Sequence, residues 1–361
     1  MNILLVDDDE SIRNSWLEYS KTVGKELCEQ NAIEIIPCAN VVDAEKTLKE
    51  MCIDFLSVDL RLGSSEPEGN TLIKTVIDYS LRIPTIVITA TPGDVIEKSN
   101  VLRTYKKGED DDISDILKYL VSIYKTGITQ LLGKDGLLEK NLEAFYKNCY
   151  IDDLNSWIQY AAENSESTQK ALVRYAVNNI SQLLDNDCDS YYPEEVYIYK
   201  PDAHNISTGS LVKDTSNNFF IILSPACDLA IRESGDFKTD SIQLVEIEKI
   251  NIIEDEKFST IPAECKNLDK TKNKLMKEIW KNTDTLYYHW LPRTSLFDGG
   301  VINFRRIKTI NKTELLTYSI LNVQISPCFC KDIVSRFSSY YARQGQPEIC
   351  YTKYMYGEKN E

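Results

Sequence analysis

Short apolar runs alternate with amphipathic stretches through the first third of this 361-residue chain. The runs are continuously apolar, which is typical of strands buried on both faces of a parallel sheet. The stretches between them repeat apolar residues at spacings of three and four, which predicts helices. The predicted strands are 3–6, 33–37, 55–58, 85–88 and 101–105, and the predicted helices are 11–28, 41–51, 69–79 and 113–124. This pattern indicates an α/β fold with helices on both faces of a parallel sheet.

The pattern changes twice further along the chain. Residues 127–187 are mainly amphipathic and helical in spacing, and short β-rich runs prevail after that. The later predictions are strands at 196–199, 211–212, 219–223, 242–247, 301–304 and 321–325, a hairpin turn at 214–218, and helices at 267–281 and 327–343. We therefore predict a first domain over 1–126, a helical connector over 127–187, and a mixed α+β output domain of unknown function over 188–361.

Composition narrows the class of protein. Asp and Glu number 56 against 41 Lys and Arg, for a formal net charge of −15. Contacts to nucleic-acid phosphates need clustered basic residues, so a general nucleic-acid binder is disfavoured, although a local basic patch stays open. No apolar run approaches the roughly 18 residues that span a bilayer. The N-terminus lacks the basic start and cleavage site of a signal peptide, so we expect a cytoplasmic protein without membrane contact.

Acidic and hydroxyl side chains follow the ends of the predicted strands. These are Asp7, Asp8 and Asp9 after the first strand, Asp59 after the third, and Thr89 at the end of the fourth. The carboxyl ends of parallel strands share one edge of a sheet, so these groups are expected to converge. Clustered carboxylates need a cation, and hard oxygen ligands suit Mg²⁺. Asp59, alone after the central strand, is the best-placed phosphoryl acceptor, and Thr89 offers a hydroxyl to the new group.

The same motifs resemble those of response-regulator receiver domains of two-component systems. Residues 3–10 (ILLVDDDE) are similar to the opening of that family, and residues 55–62 (FLSVDLRL) to its phosphoacceptor strand. Gly69 matches the glycine after the acceptor loop, and Thr89-Ala90 matches the switch position. The resemblance covers about residues 1–126.

This resemblance implies a flavodoxin-like fold and phosphotransfer to Asp59 from a histidine kinase or a phosphotransfer protein. It implies Mg²⁺ held by Asp7 or Asp8 with Asp59 and the backbone carbonyl of Arg61. It also implies slow self-dephosphorylation. The sequence assigns no enzymatic activity beyond this phosphotransfer.

The chain departs from the family around the expected switch lysine. Lys106 is the candidate, but Lys107 and Gly108 follow it where the family usually has proline, so the register is open by one residue. The span from Thr89 to Lys106 is short, which predicts a trimmed fourth helix. The usual aromatic switch position falls on Arg103 or Thr104, so signalling through the usual face is in question.

A Cys-Asp pair is the clearest chemical feature of the second half. Cys227 and Asp228 follow a predicted buried strand, and the two histidines of the chain are His204 and His289. Cys227 could serve as a nucleophile or metal ligand with Asp228 and His289. A buried cysteine at a strand end with a capping aspartate is the more common arrangement, and we favour it. Further cysteines could in principle join a metal site, but the Cys328 to Cys330 spacing suits zinc poorly.

Three functions stay open at this point. The first is a response regulator whose phosphorylation on Asp59 switches an atypical output domain, with a homodimer compatible but not required. The second is a phosphate sink or buffer without effector chemistry. The third is a regulated effector enzyme, such as an antiviral defence protein, using Cys227, Asp228 and His289.

Overall fold

The computed structural model describes the chain except residues 28–32, 64–65, 97, 152, 185–189, 201–205, 233–236, 284, 344–348, 351 and 353–361. His204 therefore lies outside the described residues. Contacts divide the chain into two compact units, Met1–Asp187 and Cys188–Glu361. The predicted helical connector lies in the first unit, and its separation from the first domain stays a prediction. No helix of the described residues is long and apolar enough to span a membrane.

A five-stranded, entirely parallel sheet forms the centre of the first unit. Its strands are β1 (Asn2–Val6), β2 (Glu34–Cys38), β3 (Phe55–Val58), β4 (Thr85–Thr89) and β5 (Val101–Lys106). They lie in the order β2-β1-β3-β4-β5, which is the flavodoxin-like arrangement. β1, β3 and β4 are buried along almost their whole length, as their continuous apolar sequences predict. The predicted fold of this region is confirmed.

Helices cover both faces of this sheet. They are α1 (Glu10–Leu27), α2 (Val41–Glu50), α3 (Gly69–Asp78) and α4 (Ile113–Tyr124). One apolar core lies under α2 and α3, and a second, around Trp16 and Phe55, lies under α1 and α4. The Asn40 side chain accepts from the Asp43 amide at 2.9 Å and caps α2, so local polar groups fix where that helix begins.

In its described residues, the connection from β4 to β5 contains one 3₁₀ turn, Pro92–Asp94, and no α-helix. The predicted trimming of the fourth helix is therefore confirmed. Four further helices follow within the first unit: α5 (Ile128–Leu132), α6 (Leu137–Phe145), α7 (Leu154–Glu163) and α8 (Ser165–Leu184). A π-helical turn at Tyr146–Tyr150 follows α6.

The second unit is built on a seven-stranded antiparallel sheet. Its strands are β6 (Tyr197–Tyr199), β7 (Ser210–Lys213), β8 (Phe219–Ile222), β9 (Ser241–Glu248), β10 (Tyr288–Leu291), β11 (Gly300–Asn311) and β12 (Ser319–Ile325). They lie in the order β10-β11-β9-β8-β7-β12-β6. β7 and β8 pair through the predicted turn, where the Asp214 amide donates to the Asn218 carbonyl at 3.0 Å. The predicted α+β class is confirmed.

The edges of this sheet come together. The Tyr197 hydroxyl at the start of β6 donates to the Pro292 carbonyl after β10 at 2.7 Å, and Phe297 packs against the Tyr197 ring. The sheet is thus curled around one apolar core, with a second core on its outer face. Helices α9 (Ala226–Leu229), α10 (Ile250–Ser259), α11 (Leu268–Trp280), α12 (Lys312–Leu315) and α13 (Pro327–Ala342) surround it.

Candidate functional site

The sheet register brings two acidic residues to the same edge. β1 and β3 are parallel neighbours with Val6 opposite Val58, so Asp7 and Asp59 leave the sheet side by side. The Asp59 amide donates to the Val6 carbonyl at 2.9 Å, which extends the ladder by one step. Both carboxylates are nearly buried, whereas Asp8 is exposed.

The three consecutive aspartates have different roles. Asp7 and Asp8 can each offer an oxygen to a cluster with Asp59 in which all three oxygens lie within 4.8 Å of one another. Asp9 instead caps α1, since its carboxylate accepts from the Ser11 amide at 2.8 Å. Hydrogen bonds from Ser11 lower the pKa of the Asp9 carboxyl. Asp9 thus starts the helix and does not join the cluster.

Lys107 supplies the positive charge of the site. Its Nζ atom lies 2.7 Å from Asp59 Oδ2 and 2.9 Å from Asp7 Oδ2. The predicted residue, Lys106, points away from the cluster, and its amine pairs with Glu109. The choice of Lys106 was therefore off by one residue. The physical reason is that Lys107 directly follows β5 and its amide still donates to the Thr89 carbonyl at 3.0 Å, so the two neighbouring side chains alternate and face opposite sides of the sheet.

Burial and hydrogen bonding set the ionisation of this cluster. Burial raises the pKa of the Asp7 carboxyl, against the opposing effect of its hydrogen bond with Lys107. Burial disfavours the charged amine of Lys107, but hydrogen bonds to Asp59 and Asp7 outweigh this and raise its pKa. Lys107 is therefore held as the cation facing two carboxylates.

Close packing leaves no room for a side chain at Gly69. A Cβ atom there would lie 2.3 Å from the Asp59 carbonyl oxygen and 2.8 Å from the Leu60 Cα atom. The glycine therefore lets α3 begin directly against the backbone of Asp59 and Leu60, where the loop after β3 starts. Thr89 is buried at the end of β4, and its hydroxyl accepts from the Thr91 amide at 3.3 Å.

Polar contacts join the β4–β5 connection to the loop after β3 and to the start of α3. The Arg61 guanidinium lies 3.1 Å from the Asp94 carboxylate, and both side chains are partly exposed. The Asn70 amide group donates to the Asp94 carbonyl at 2.9 Å and accepts from the Ile96 amide at 3.2 Å. The segment that replaces the fourth helix is thus tied to residues on either side of Gly69.

The donor set suits a hard divalent cation. Three carboxylates from Asp7, Asp8 and Asp59 offer anionic oxygens, and few protein ligands are what Mg²⁺ requires because it keeps several waters. Within the described part of the chain, no second group of three or more potential ligand residues occurs. A ligand role for the Arg61 carbonyl stays a prediction.

The residues of the second predicted site, Cys227, Asp228 and His289, do not lie together in the structure. Cys227 Sγ lies 3.9 Å from Asp228 Oδ1, and Lys238 lies 3.6 Å from the same carboxylate oxygen, but both contacts are near the surface. His289 is on β10, which β11 and β9 separate from β8 and the Cys227 segment that follows it. Three strand spacings amount to about 14 Å. Cys227, Asp228 and His289 therefore do not form one catalytic group.

The N-terminal third of the chain is similar in fold to receiver domains of known structure. A CheY-like response regulator receiver domain from Methanospirillum hungatei JF-1 is 18% identical, with a TM-score of 0.29, over 35% of this chain and 94% of that chain. A receiver domain of a Francisella response regulator is 18% identical, with a TM-score of 0.27, over 35% and 97% of the two chains. A receiver domain from Clostridium thermocellum is 16% identical, with a TM-score of 0.29, over 35% and 97%. No protein-family model and no curated protein matches the sequence.

Proposed function

We propose that residues 1–126 accept a phosphoryl group on Asp59 from the phosphohistidine of a kinase or phosphotransfer protein, and that the phosphorylated state switches the second unit. The observation that carries this proposal is the convergence of three aspartate carboxylates and the Lys107 amine at one end of a parallel sheet. The fold supports it, because ligands of such sheets bind beyond the carboxyl ends of the strands.

The transfer needs one free carboxylate oxygen. An Asp59 oxygen attacks phosphorus, a P–O bond forms, and the P–N bond to the donor histidine breaks. The leaving nitrogen keeps the electron pair and takes up a proton. Mg²⁺ held by Asp7, Asp8 and Asp59 would offset the charge on the phosphoryl oxygens.

Lys107 and Thr89 have roles after the transfer. The ammonium group of Lys107, which bridges Asp59 and Asp7 beforehand, can donate to a phosphoryl oxygen instead. The Thr89 hydroxyl can donate to a second phosphoryl oxygen. New partners for two side chains at the ends of β4 and β5 would bias the connection between these strands, which is how added charge drives a two-state switch.

Acetyl phosphate with Mg²⁺ tests the acceptor directly. Intact-mass measurement of the full chain should show one added phosphoryl group, which Asp59→Asn and removal of Mg²⁺ should abolish. Asp9→Asn is the matched control, because asparagine also caps a helix well, and it should be labelled normally. An unlabelled wild-type chain, or an Asp59→Asn chain labelled to the same extent, would refute the proposal.

Hydrogen exchange distinguishes a switch from a phosphate sink. A switch alters hydrogen exchange within residues 188–361 when Asp59 is phosphorylated, and a sink leaves it unchanged. We favour the switch because, within the first unit, Arg61 and Asn70 join the residues next to Asp59 to the β4–β5 connection, so a change at Asp59 would reach that connection. The effector-enzyme alternative lacks a shared site for Cys227 and His289.

A further inference from the structure

A cavity of about 410 Å³ lies where the curled sheet of the second unit meets its own edge. Its walls come from the segment before β6, from β10, from the end of α11 and from the first turns of α13. Five aromatic side chains line it: Tyr191, Tyr192, Trp280, Trp290 and Phe329. A cavity of this size and apolar character is typical of a small-molecule site.

Hydrogen bonds and ring contacts hold the walls in place without a ligand. The Asn282 side-chain oxygen accepts from the Trp290 amide at 2.6 Å, which fixes the end of α11 against β10. The Tyr191 ring meets the Phe329 ring edge-on at 5.4 Å. The cavity is therefore largely preformed, and binding would cost little reorganisation.

Charge on the walls selects the kind of ligand. Among the described residues that line the cavity, Asp332 is the one acid, and none is lysine or arginine. Its carboxylate is well exposed and so available to a ligand. Aromatic faces attract cations through their negative π surface, and a carboxylate beside them adds to that attraction. Such walls would repel a phosphate or a carboxylate.

A buried polar atom in the wall lacks a protein partner. His289 is 5% exposed and lines the cavity, and its Nδ1 atom makes no hydrogen bond. Nδ1 lies 3.7 Å from Asp332 Oδ2, too far for a hydrogen bond. Burial, helped by the charge of Arg336, lowers the pKa of His289 to about 3, so the ring is neutral and does not repel a cation. Because Nδ1 itself is covered, the part that His289 plays in the wall is that of a neutral ring.

We propose that this cavity binds a small organic cation, with an alkylated ammonium or a cationic nitrogen heterocycle held among the aromatic rings and its charge facing Asp332. The aromatic rings supply cation–π contacts, the carboxylate supplies the opposite charge, and the neutral imidazole adds no repelling charge.

Isothermal titration of the full chain with matched probes tests this proposal. Choline is compared with its neutral isostere 3,3-dimethylbutan-1-ol, and the planar cation 1-methylnicotinamide with neutral nicotinamide. At least one cation should bind while its neutral partner does not. Equal binding of a neutral partner, or no binding of either cation, would overturn the proposal.

Two substitutions locate the binding. Asp332→Asn removes the charge at an exposed position and should weaken cation binding about three- to tenfold. Trp280→Leu removes a partly exposed aromatic face and should weaken it similarly. Asp298→Asn is the matched control, since Asp298 is exposed and does not line the cavity. Cation binding that neither Asp332→Asn nor Trp280→Leu changes lies elsewhere on the protein and contradicts the proposal.

Discussion

The Nζ atom of Lys107 lies 2.7 Å from the Oδ2 atom of Asp59, whereas Lys106 pairs with Glu109. The two adjacent lysines therefore form a matched pair of variants. Lys107→Ala removes the cation that would bond the phosphoryl group, and a charge-assisted bond contributes roughly 1.5–3 kcal/mol. We expect its steady-state labelling by acetyl phosphate to fall about tenfold or more, measured by intact mass. Lys106→Ala should be labelled like the wild type, and equal loss in both variants would contradict the assignment.

Gly69 and Gly93 form a second matched pair. Gly69→Ala places a Cβ atom against the backbone of Asp59 and Leu60, and such overpacking costs about 1–3 kcal/mol. Gly93→Ala meets nothing within 4 Å. Urea denaturation should show lower stability for Gly69→Ala alone, and its labelling on Asp59 should also fall because the backbone of Asp59 and Leu60 must move. A Gly69→Ala protein of wild-type stability would be evidence against this packing.

The burial of His289 predicts how stability depends on pH. Its pKa falls from an ordinary 6.5 to about 3 on folding, so the unfolded chain binds a proton between these values that the folded chain does not. The contribution of this neutral ring to stability is therefore complete above pH 6.5 and is lost as the pH falls toward 3, at roughly 1 kcal/mol per pH unit.

His289→Phe isolates this contribution by removing the titrating group while keeping an aromatic ring. The free energy of unfolding in urea, followed by tryptophan fluorescence, should fall more steeply on acidification for the wild type than for the variant. Parallel curves for the two proteins would rule out a depressed pKa at this position.

Asn70 fastens the connection between β4 and β5. Asn70→Ala removes the acceptor for the Ile96 amide and the donor to the Asp94 carbonyl. Hydrogen exchange at the Ile96 amide should become about five- to tenfold faster, as expected for a lost hydrogen bond of about 1 kcal/mol. Glu68→Ala, at a position that makes no side-chain cap bond, is the control. Unchanged exchange at Ile96 in the Asn70 variant would mean that the connection is held by other contacts.

The central strands could be predicted because burial on both faces leaves an uninterrupted apolar sequence. The acidic cluster could be predicted for the same reason, since Asp7 and Asp59 each follow such a run. Which of the two lysines, Lys106 or Lys107, faces this cluster could not be predicted from the sequence. A bulge in β5 between the residues paired with Thr85 and Ile86 adds one residue to the strand, and a one-residue slip turns every side chain to the opposite face.

The second unit was harder to predict, because its cavity is assembled from distant segments. Strand β10 was missed because its sequence, YHWL, mixes a histidine with aromatic residues and shows neither strict alternation nor a fully apolar run. Helix α10 was missed because its apolar residues cluster at the start without a helical repeat, and Ile253 is its one buried residue. Nothing local to Tyr191, Trp280 or Phe329 indicates that they meet, since only the curl of the sheet brings them together.

The edge strands of both sheets carry features that affect whether copies of the chain can pair through their strands. Unpaired edge strands recruit strands from other chains and lead to aggregation. In the first sheet, β2 carries Pro37 and β5 carries a bulge and two basic side chains. In the second sheet, the edge strands β6 and β10 have only three and four residues. The Tyr197 hydroxyl also donates to the Pro292 carbonyl just after β10, so that carbonyl already has a partner. These features of the described edge strands disfavour intermolecular strand addition, and so does the mutual repulsion from the net negative charge of −15.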